Sequence, residues 1–397
     1  MKEGWEYKKL GEVCILLTDG DWIESKDQSC EGIRLIQTGN IGNGIYKDKT
    51  ENSKFISEDT FVRLNCTEIF EGDVLVSRLP DPIGRSCIIP KSEIRMITAV
   101  DCSIVRLKEI ILPKMFVYFS MSDNYRNKIL KVATGTTRKR ISRKNLSMIK
   151  IPLPPLTEQQ RIVEELDLLS SIIEKKKEQL KELDALAQSI FYDMFGDPVT
   201  NEKGWEVEDI QSLFKVTSSK RILQSEWQDN GIPFYRVADI VNIINGINVS
   251  PSTFIKESTF SDLKRGGFVP SSGDILITSR GTLGQCYIVG KKDRFYFQDG
   301  MITWISPKNS NTNPIFVKSI FATNSFANSL TQSANSSTVA YISISQLSKK
   351  MLICPPLPLQ QQFAQKVEAI ERQKELIKQS IAETETLFNS RMDYYFN

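Results

Sequence analysis

Along residues 5–153 the apolar positions of this chain come in short runs, among them Ile33-Arg34-Leu35-Ile36, Val74-Leu75-Val76-Ser77, Cys87-Ile88-Ile89 and Cys102-Ser103-Ile104-Val105-Arg106-Leu107, broken by Gly, Asn, Asp and Pro. Such runs between turn residues predict β-strands. Pro113, followed by Lys114-Met115-Phe116-Val117-Tyr118-Phe119, predicts one helix among them, and Pro314-Ile315-Phe316-Val317 a later one, because proline suits the first helical position. A strap, Ile151-Pro152-Leu153-Pro154-Pro155-Leu156, then forbids regular helix and favours extended backbone. From Thr157 the period changes to 3.5: Ile162, Leu166, Leu169, Ile173, Lys176, Leu180, Leu183, Ala187, Ile190 and Met194 form a heptad stripe. After a second strap, Cys354-Pro355-Pro356-Leu357-Pro358, a second stripe follows through Phe363, Val367, Ile370, Lys374, Ile377, Ile381, Thr384, Phe388, Arg391 and Tyr395. Two stripes of equal length in one chain predict helices that pair with each other. At 1.5 Å per residue, residues 157–195 would make a rod of roughly 58 Å.

The pattern is a duplication. Gly4-Trp5-Glu6 returns as Gly204-Trp205-Glu206, and Gly72-Asp73 as Gly273-Asp274, an offset of 273 − 72 = 201. Ile141-Ser142, Pro154-Pro155-Leu156 and Gln159-Gln160 recur at the same offset, whereas Ser77-Arg78 and Ser279-Arg280 are one residue out of step. A repeat this long is a duplicated domain plus helix, since solenoid periods are about 20–50 residues. The expected fold is therefore α+β: two similar mixed α/β globules, residues 1–156 and 199–357, each followed by a long helix, residues 157–198 and 358–397. The helices are expected to pair as an antiparallel coiled coil with pseudo-twofold symmetry. Asp73 and Asp274, each after a glycine and before an apolar run, read as turn residues.

Composition narrows the chemistry. The 397 residues are 40% hydrophobic, enough for real cores, and no run approaches the roughly 18 apolar residues of a membrane span. The start lacks a signal-peptide pattern, so a cytoplasmic protein with no membrane association is expected. Seven cysteines without C-x-x-C spacing read as reduced, buried, small hydrophobes. There is no histidine, which excludes Ser-His-Asp and Cys-His nucleophiles, His-ligated zinc and His general bases. No G-x-x-x-x-G-K-[ST] loop, strand-linked G-x-G-x-x-G turn or Asn-Pro-Pro-aromatic tetrapeptide is present, and Gly39-Asn40-Ile41-Gly42-Asn43-Gly44 reads as a loop. No catalytic or metal-ligating residues are expected. Basic residues do cluster: Arg138, Lys139, Arg140, Arg143 and Lys144 fall within seven positions, with Lys220-Arg221 and Lys264-Arg265 in the second half. Cations so placed suit phosphate neutralisation. Thr136-Thr137-Arg138-Lys139-Arg140-Ile141-Ser142 lies opposite Ser337-Thr338-Val339-Ala340-Tyr341-Ile342-Ser343, sharing hydroxyls but not charge. Shared groups suit backbone contacts, and differing ones suit base readout.

The chain resembles the specificity subunit of type I restriction-modification systems. The resemblance rests on Gly-Trp-Glu with Leu10-Gly11-Glu12-Val13, on Gly32-Ile33-Arg34-Leu35-Ile36-Gln37-Thr38-Gly39-Asn40-Ile41 matched by Gly231-Ile232-Pro233-Phe234-Tyr235-Arg236-Val237-Ala238-Asp239-Ile240, and on Ser279-Arg280-Gly281-Thr282-Leu283-Gly284. Its most distinctive part is Ile151-Pro152-Leu153-Pro154-Pro155-Leu156-Thr157-Glu158-Gln159-Gln160-Arg161. The first copy departs from it at the longer loop Arg78-Leu79-Pro80-Asp81-Pro82-Ile83-Gly84, the second at Pro358-Leu359-Gln360. The resemblance implies two target recognition domains and two spacer helices that read a bipartite, asymmetric DNA target without doing chemistry. It implies double-stranded DNA and two modification subunits as partners, with two restriction subunits where these exist. No cofactor belongs to the chain: S-adenosylmethionine would sit in the modification subunits, and ATP and Mg in a restriction subunit. The DNA-contact candidates are Gln37, Arg78, Arg138, Lys139, Arg140 and Arg143 in the first domain, and Lys220, Arg221, Arg236, Ser279, Arg280 and Tyr341 in the second. The alternative class is a coiled-coil interaction scaffold with no DNA role.

Overall fold

A computed structural model describes residues 4–135, 138–333 and 340–397. Two compact units are found. The first runs to Lys177 and includes Gln379–Asn397, and the second is Glu178–Lys378. The units therefore divide within the two long helices, Leu156–Phe195 and Leu357–Phe396, rather than at their starts.

In the first unit the apolar runs form an antiparallel sheet in the order Cys14–Asp19, Cys102–Leu107, Val74–Ser77, Ser86–Ile88. A second sheet orders Lys54–Ile56, Ile33–Ile36, Met96–Thr98 and Glu68–Ile69, with Ile33–Ile36 parallel to Met96–Thr98. Gly32 enters this sheet at φ 115°, and a Cβ there would lie 2.5 Å from Ile56 O, so only glycine fits. The strap strand Lys150–Leu153 pairs with Glu6–Lys9. The expected helix is Pro113–Met121, continued by Asp123–Val132 after a Ser122 cap. Tyr125, Phe116 and Phe119 of these helices are fully buried and meet edge to face, packing against Met392, Tyr395 and Phe396.

The second unit repeats this plan: a sheet ordered Phe214–Thr217, Ile302–Pro307, Ile275–Thr278, Cys286–Ile288, a smaller sheet about Ile232–Tyr235, and a strap pair Val207–Asp209 with Met351–Ile353. Pro314–Ala322 matches Pro113–Met121, and its core takes in Phe191, Phe195 and Phe363. One difference is local: after Ile33–Ile36 the chain makes a single 3-10 turn, Thr38–Asn40, where the second unit has the helix Val237–Ile244.

The turn aspartates behave as their position suggests. Asp73 accepts from Phe70 N and Asp274 from Ser271 N, at 2.9 and 2.7 Å. Both are buried, and each has a different second partner, Arg106 for Asp73 and the Trp304 indole for Asp274. Five of the seven cysteines are buried, Cys354 is half-buried, and Cys30 is exposed, which corrects the expectation that all are buried. Burial pushes the Cys14, Cys87 and Cys102 thiols up to about 12.

In each unit the long-helix segments pair antiparallel. In the first, Glu165 meets Arg391 and Tyr395 while Lys176 reaches Ser380 and Thr384. In the second, Phe191 packs on Phe363 at 5.6 Å while Asp184 meets Lys374 at 2.7 Å. Along the stripes Ile162, Leu166, Leu169, Ile173, Phe363, Ile370 and Ile381 are buried, and Leu180, Leu183, Val367, Ile377 and Phe388 are half-buried. Lysines at seam positions are satisfied by hydroxyls at Lys176 and by carboxylates at Lys374, so the pairing has polar points that fix register.

Candidate nucleic-acid interface

In the first unit Asp19, Ser77 and Cys102 lie at one end of the larger sheet. Just beyond Ser77, Arg78 turns inward. Its Nε donates to Ile141 O at 2.9 Å, and its guanidinium pairs with Asp19 at 2.7 Å; Asp19 in turn accepts from Ser103 Oγ at 3.0 Å. Only 8% of Arg78 is exposed. A base edge cannot reach a guanidinium so committed, and Arg78 is corrected from a DNA contact to a structural residue. It holds the segment carrying Ile141, which follows a backbone bridge joining Thr134 and Arg140 at 2.9 and 2.7 Å. Arg138 and Lys139 stand exposed inside that bridge, while Thr136 and Thr137 lie outside the described residues. Arg140, half-buried, pairs with Asp101 at 3.0 Å, and exposed Arg143 opens the helix Arg143–Ser147, capped by Ser142, with Nη1 3.3 Å from Thr18 Oγ1. Arg138, Lys139, Arg140 and Arg143 thus gather at one sheet end.

The same sheet end in the second unit carries different chemistry. Ile141 N donates to Arg78 O, and Ile342 N to Ser279 O; Arg78 N donates to Asp101 O, and Ser279 N to Met301 O. Ser279, not Arg280, is therefore the counterpart of Arg78. The apparent slip of the Ser-Arg pair is corrected to a one-residue difference in the loop that follows, 79–83 against 280–283. Ser279 is 2% exposed and bonds Thr303 Oγ1 at 2.6 Å, so it too is withdrawn as a DNA contact. Where the first unit sets a buried guanidinium against a half-buried carboxylate, the second buries two hydroxyls. Arg280 is exposed and bridges by backbone to half-buried Tyr341, keeping both at the surface. Residues 337–339 of the hydroxyl-rich segment lie outside the described residues.

Gln37 and Arg236 occupy equivalent places. Each follows a small-sheet strand and caps what comes next: Gln37 N donates to Asn40 Oδ1 at 2.9 Å, and Arg236 N to Asp239 Oδ2 at 2.8 Å. Gln37 is half-buried and lines a polar cleft of about 290 Å³ with Arg34, Thr38, Lys49 and Asn52. Arg236 is exposed, its guanidinium 4.7 Å from the centre of the Trp227 ring. Lys220 and Arg221 are exposed nearby: Ser219 Oγ bonds Phe297 O and Gln298 N bonds Tyr235 O, which places both sites at one strand end. Lys220 Nζ lies 3.8 Å from the Phe268 ring centre, a cation on an aromatic face.

Three further side chains tie loops and straps together. Arg85 donates to Ile41 O, Thr38 O and Leu79 O at 2.7, 2.9 and 3.0 Å, tying the loop after Gln37 to the loop after Arg78. Gln159 and Gln360 are buried. Each accepts from the backbone before a Pro-led helix, Leu112 N or Asn313 N, and donates back to the strap, Pro154 O or Pro355 O. The recurring Gln-Gln was visible in the sequence; its stapling role was not. Among the described residues, no cluster of His, Cys, Asp and Glu could hold a metal ion, and no helix is long and apolar enough to cross a membrane.

The family model for the type I restriction modification DNA specificity domain matches twice, over residues 2–184 and 202–386. The MjaIX specificity subunit of Methanocaldococcus jannaschii is 25% identical over 272 residues, a stretch spanning 62% of this chain and 60% of that protein. The EcoKI specificity subunit of Escherichia coli is 22% identical over 410 residues, 96% of this chain and 85% of that protein. A chain solved in a study of complex assembly and conformational transition of the type I R-M system has the same fold, with a TM-score of 0.62 and 18% identity over 100% of this chain and 98% of that one.

Proposed function

The chain belongs to the type I restriction modification DNA specificity family and carries two copies of its domain; from that premise we propose that it is the non-catalytic subunit that reads a bipartite, asymmetric DNA target. The observation that carries this reading is the equivalence of Gln37 and Arg236. One capped position holds glutamine in one domain and arginine in the other. Glutamine pairs bidentately with adenine, and arginine with guanine. Arg138, Lys139, Arg143 and Arg280 carry exposed charge for phosphates. Modification subunits, two per chain, would bring S-adenosylmethionine and methylate adenine, and restriction subunits with ATP and Mg would join where present. The complex would act in the cytoplasm.

Binding of the full chain to duplex DNA tests the reading. Gln37→Ala and Arg236→Ala should each relax preference at one base pair, in opposite halves of the target, by about 1–3 kcal/mol. Arg138→Ala should instead weaken all sequences alike and lower the salt slope by about 1. A coiled-coil scaffold without a DNA role would show no salt-dependent duplex binding.

A further inference from the structure

Gln37 and Arg236 stand in one place on different supports. Arg236 opens the helix Val237–Ile244, whose own bonds hold it: Ile240 N donates to Arg236 O at 3.1 Å, and Ile240 is fully buried. Gln37 opens only the 3-10 turn Thr38–Asn40, closed by Ile41 N on Thr38 O at 3.2 Å and by the buried Asn40. So short a turn makes few bonds of its own. A side chain that binds a base edge bidentately must be held within about 0.5 Å of its working position.

Arg85 supplies what the turn lacks. Its Nη2 donates to Thr38 O at 2.9 Å and its Nε to Ile41 O at 2.7 Å, gripping the turn at both ends, while Nη1 donates to Leu79 O and Pro82 O at 3.0 and 3.1 Å. The residue is half-buried and its own backbone is fixed, since Ser77 N donates to Arg85 O at 2.9 Å. The guanidinium thus carries the position of the larger sheet to the turn beside Gln37. All four acceptors are carbonyls, which a rigid fork of N–H donors can span together and an ammonium or an amide cannot. In the second unit Thr278 N donates to Gln285 O, so Gln285 takes the place of Arg85; its Oε1 is buried without a partner among the described residues.

We propose that Arg85 is a positioning residue for sequence readout: it sets Gln37 against its base pair without touching DNA, and this support is needed in the first domain alone. The inference rests on the reading of Gln37 as a base contact.

The test measures, for the full chain in a salt series, the ratio of its affinities for the best duplex and for duplexes changed at one base pair. That ratio does not depend on how much of a preparation is folded, so a merely structural role would leave it unmoved. The base pair concerned is the one at which Gln37→Ala relaxes preference. Arg85→Gln, and Arg85→Lys which keeps the charge, should each lower the preference there about fivefold or more while leaving the other half-site within about twofold. The salt slope should not change. Arg85→Gln added to Gln37→Ala should lower the preference no further, since both act through one contact. Gln285→Ala should leave the preference at the base pair read by Arg236 as it was. A preference untouched by either Arg85 variant, an equal loss in the other half-site, or a salt slope lowered by about 1, as loss of a phosphate contact would give, would each overturn the proposal while the reading of Gln37 stands. So would additive losses in the double variant, or relaxation caused by Gln285→Ala. If Gln37→Ala relaxes no base pair, that reading falls and the proposal falls with it.

Discussion

At the residue scale, the positions that matter are those where the two copies share a place but not a side chain. Arg78 and Ser279 hold one backbone position through the same hydrogen bonds, yet one buries a guanidinium against Asp19 and the other a hydroxyl against Thr303. Arg78→Ser should therefore not be the mild change the second unit suggests. It strands the half-buried Asp19 and leaves Ile141 O without its guanidinium donor, and thermal unfolding should show a loss of about 2 kcal/mol. Asp19→Ser added to it should recover part of that loss, because the unpaired charge goes too. The sequence showed Arg78 as a conspicuous basic residue in a loop. Nothing local says that its partner, 59 positions earlier in the chain, comes within 2.7 Å, because it is the pairing of both Cys14–Asp19 and Val74–Ser77 with Cys102–Leu107 that brings them together. Exposed Arg138, Lys139 and Arg280 were easier to read, since a charge with no buried partner stays where the loop puts it.

At the element scale, the strap and the long helices were legible because their periodicities are strong and prolines punctuate them. The small sheets were not, as strands of two to four residues carry little pattern and their order depends on non-local pairing. The Gln159 and Gln360 staples hold each strap to the helix beside it. Gln159→Ala removes the partner of Leu112 N and Pro154 O together, and urea unfolding should show a cost of about 2 kcal/mol. The helix pair of the first unit also has a pH signature. The Arg391 guanidinium, with the Tyr395 hydroxyl, holds the Glu165 carboxyl below the usual carboxylate range. A carboxyl whose folded pKa is depressed contributes stability above its unfolded value, about 4.3, and loses it as pH falls through the lower folded value. Glu165→Gln should accordingly destabilise by about 1 kcal/mol at pH 7 and by much less near pH 3, read from urea midpoints at the two pH values.

At the scale of the whole molecule, one domain plan is used twice and the reading surface is varied on it. The shared parts are structural: the caps at Ser142 and Ser343, the stapling glutamines, the turn aspartates and the core built around a Pro-led helix. The varied parts face the surface: Gln37 against Arg236, the basic Arg138–Arg143 stretch against Tyr341, and a loop longer by one residue. Duplication and its unequal loops were plain in the sequence, whereas the register that pairs Arg78 with Ser279 needed the hydrogen bonds. The account's central claim is two non-identical readers in one chain. Sequencing the duplexes that the full chain retains from a random pool, at moderate salt, tests it most directly. The expected result is a motif of two different half-sites separated by a fixed, unspecified gap, with Gln37→Ala degrading one half only and Arg236→Ala the other. A single contiguous motif, two identical half-sites, or no enrichment at all would contradict it.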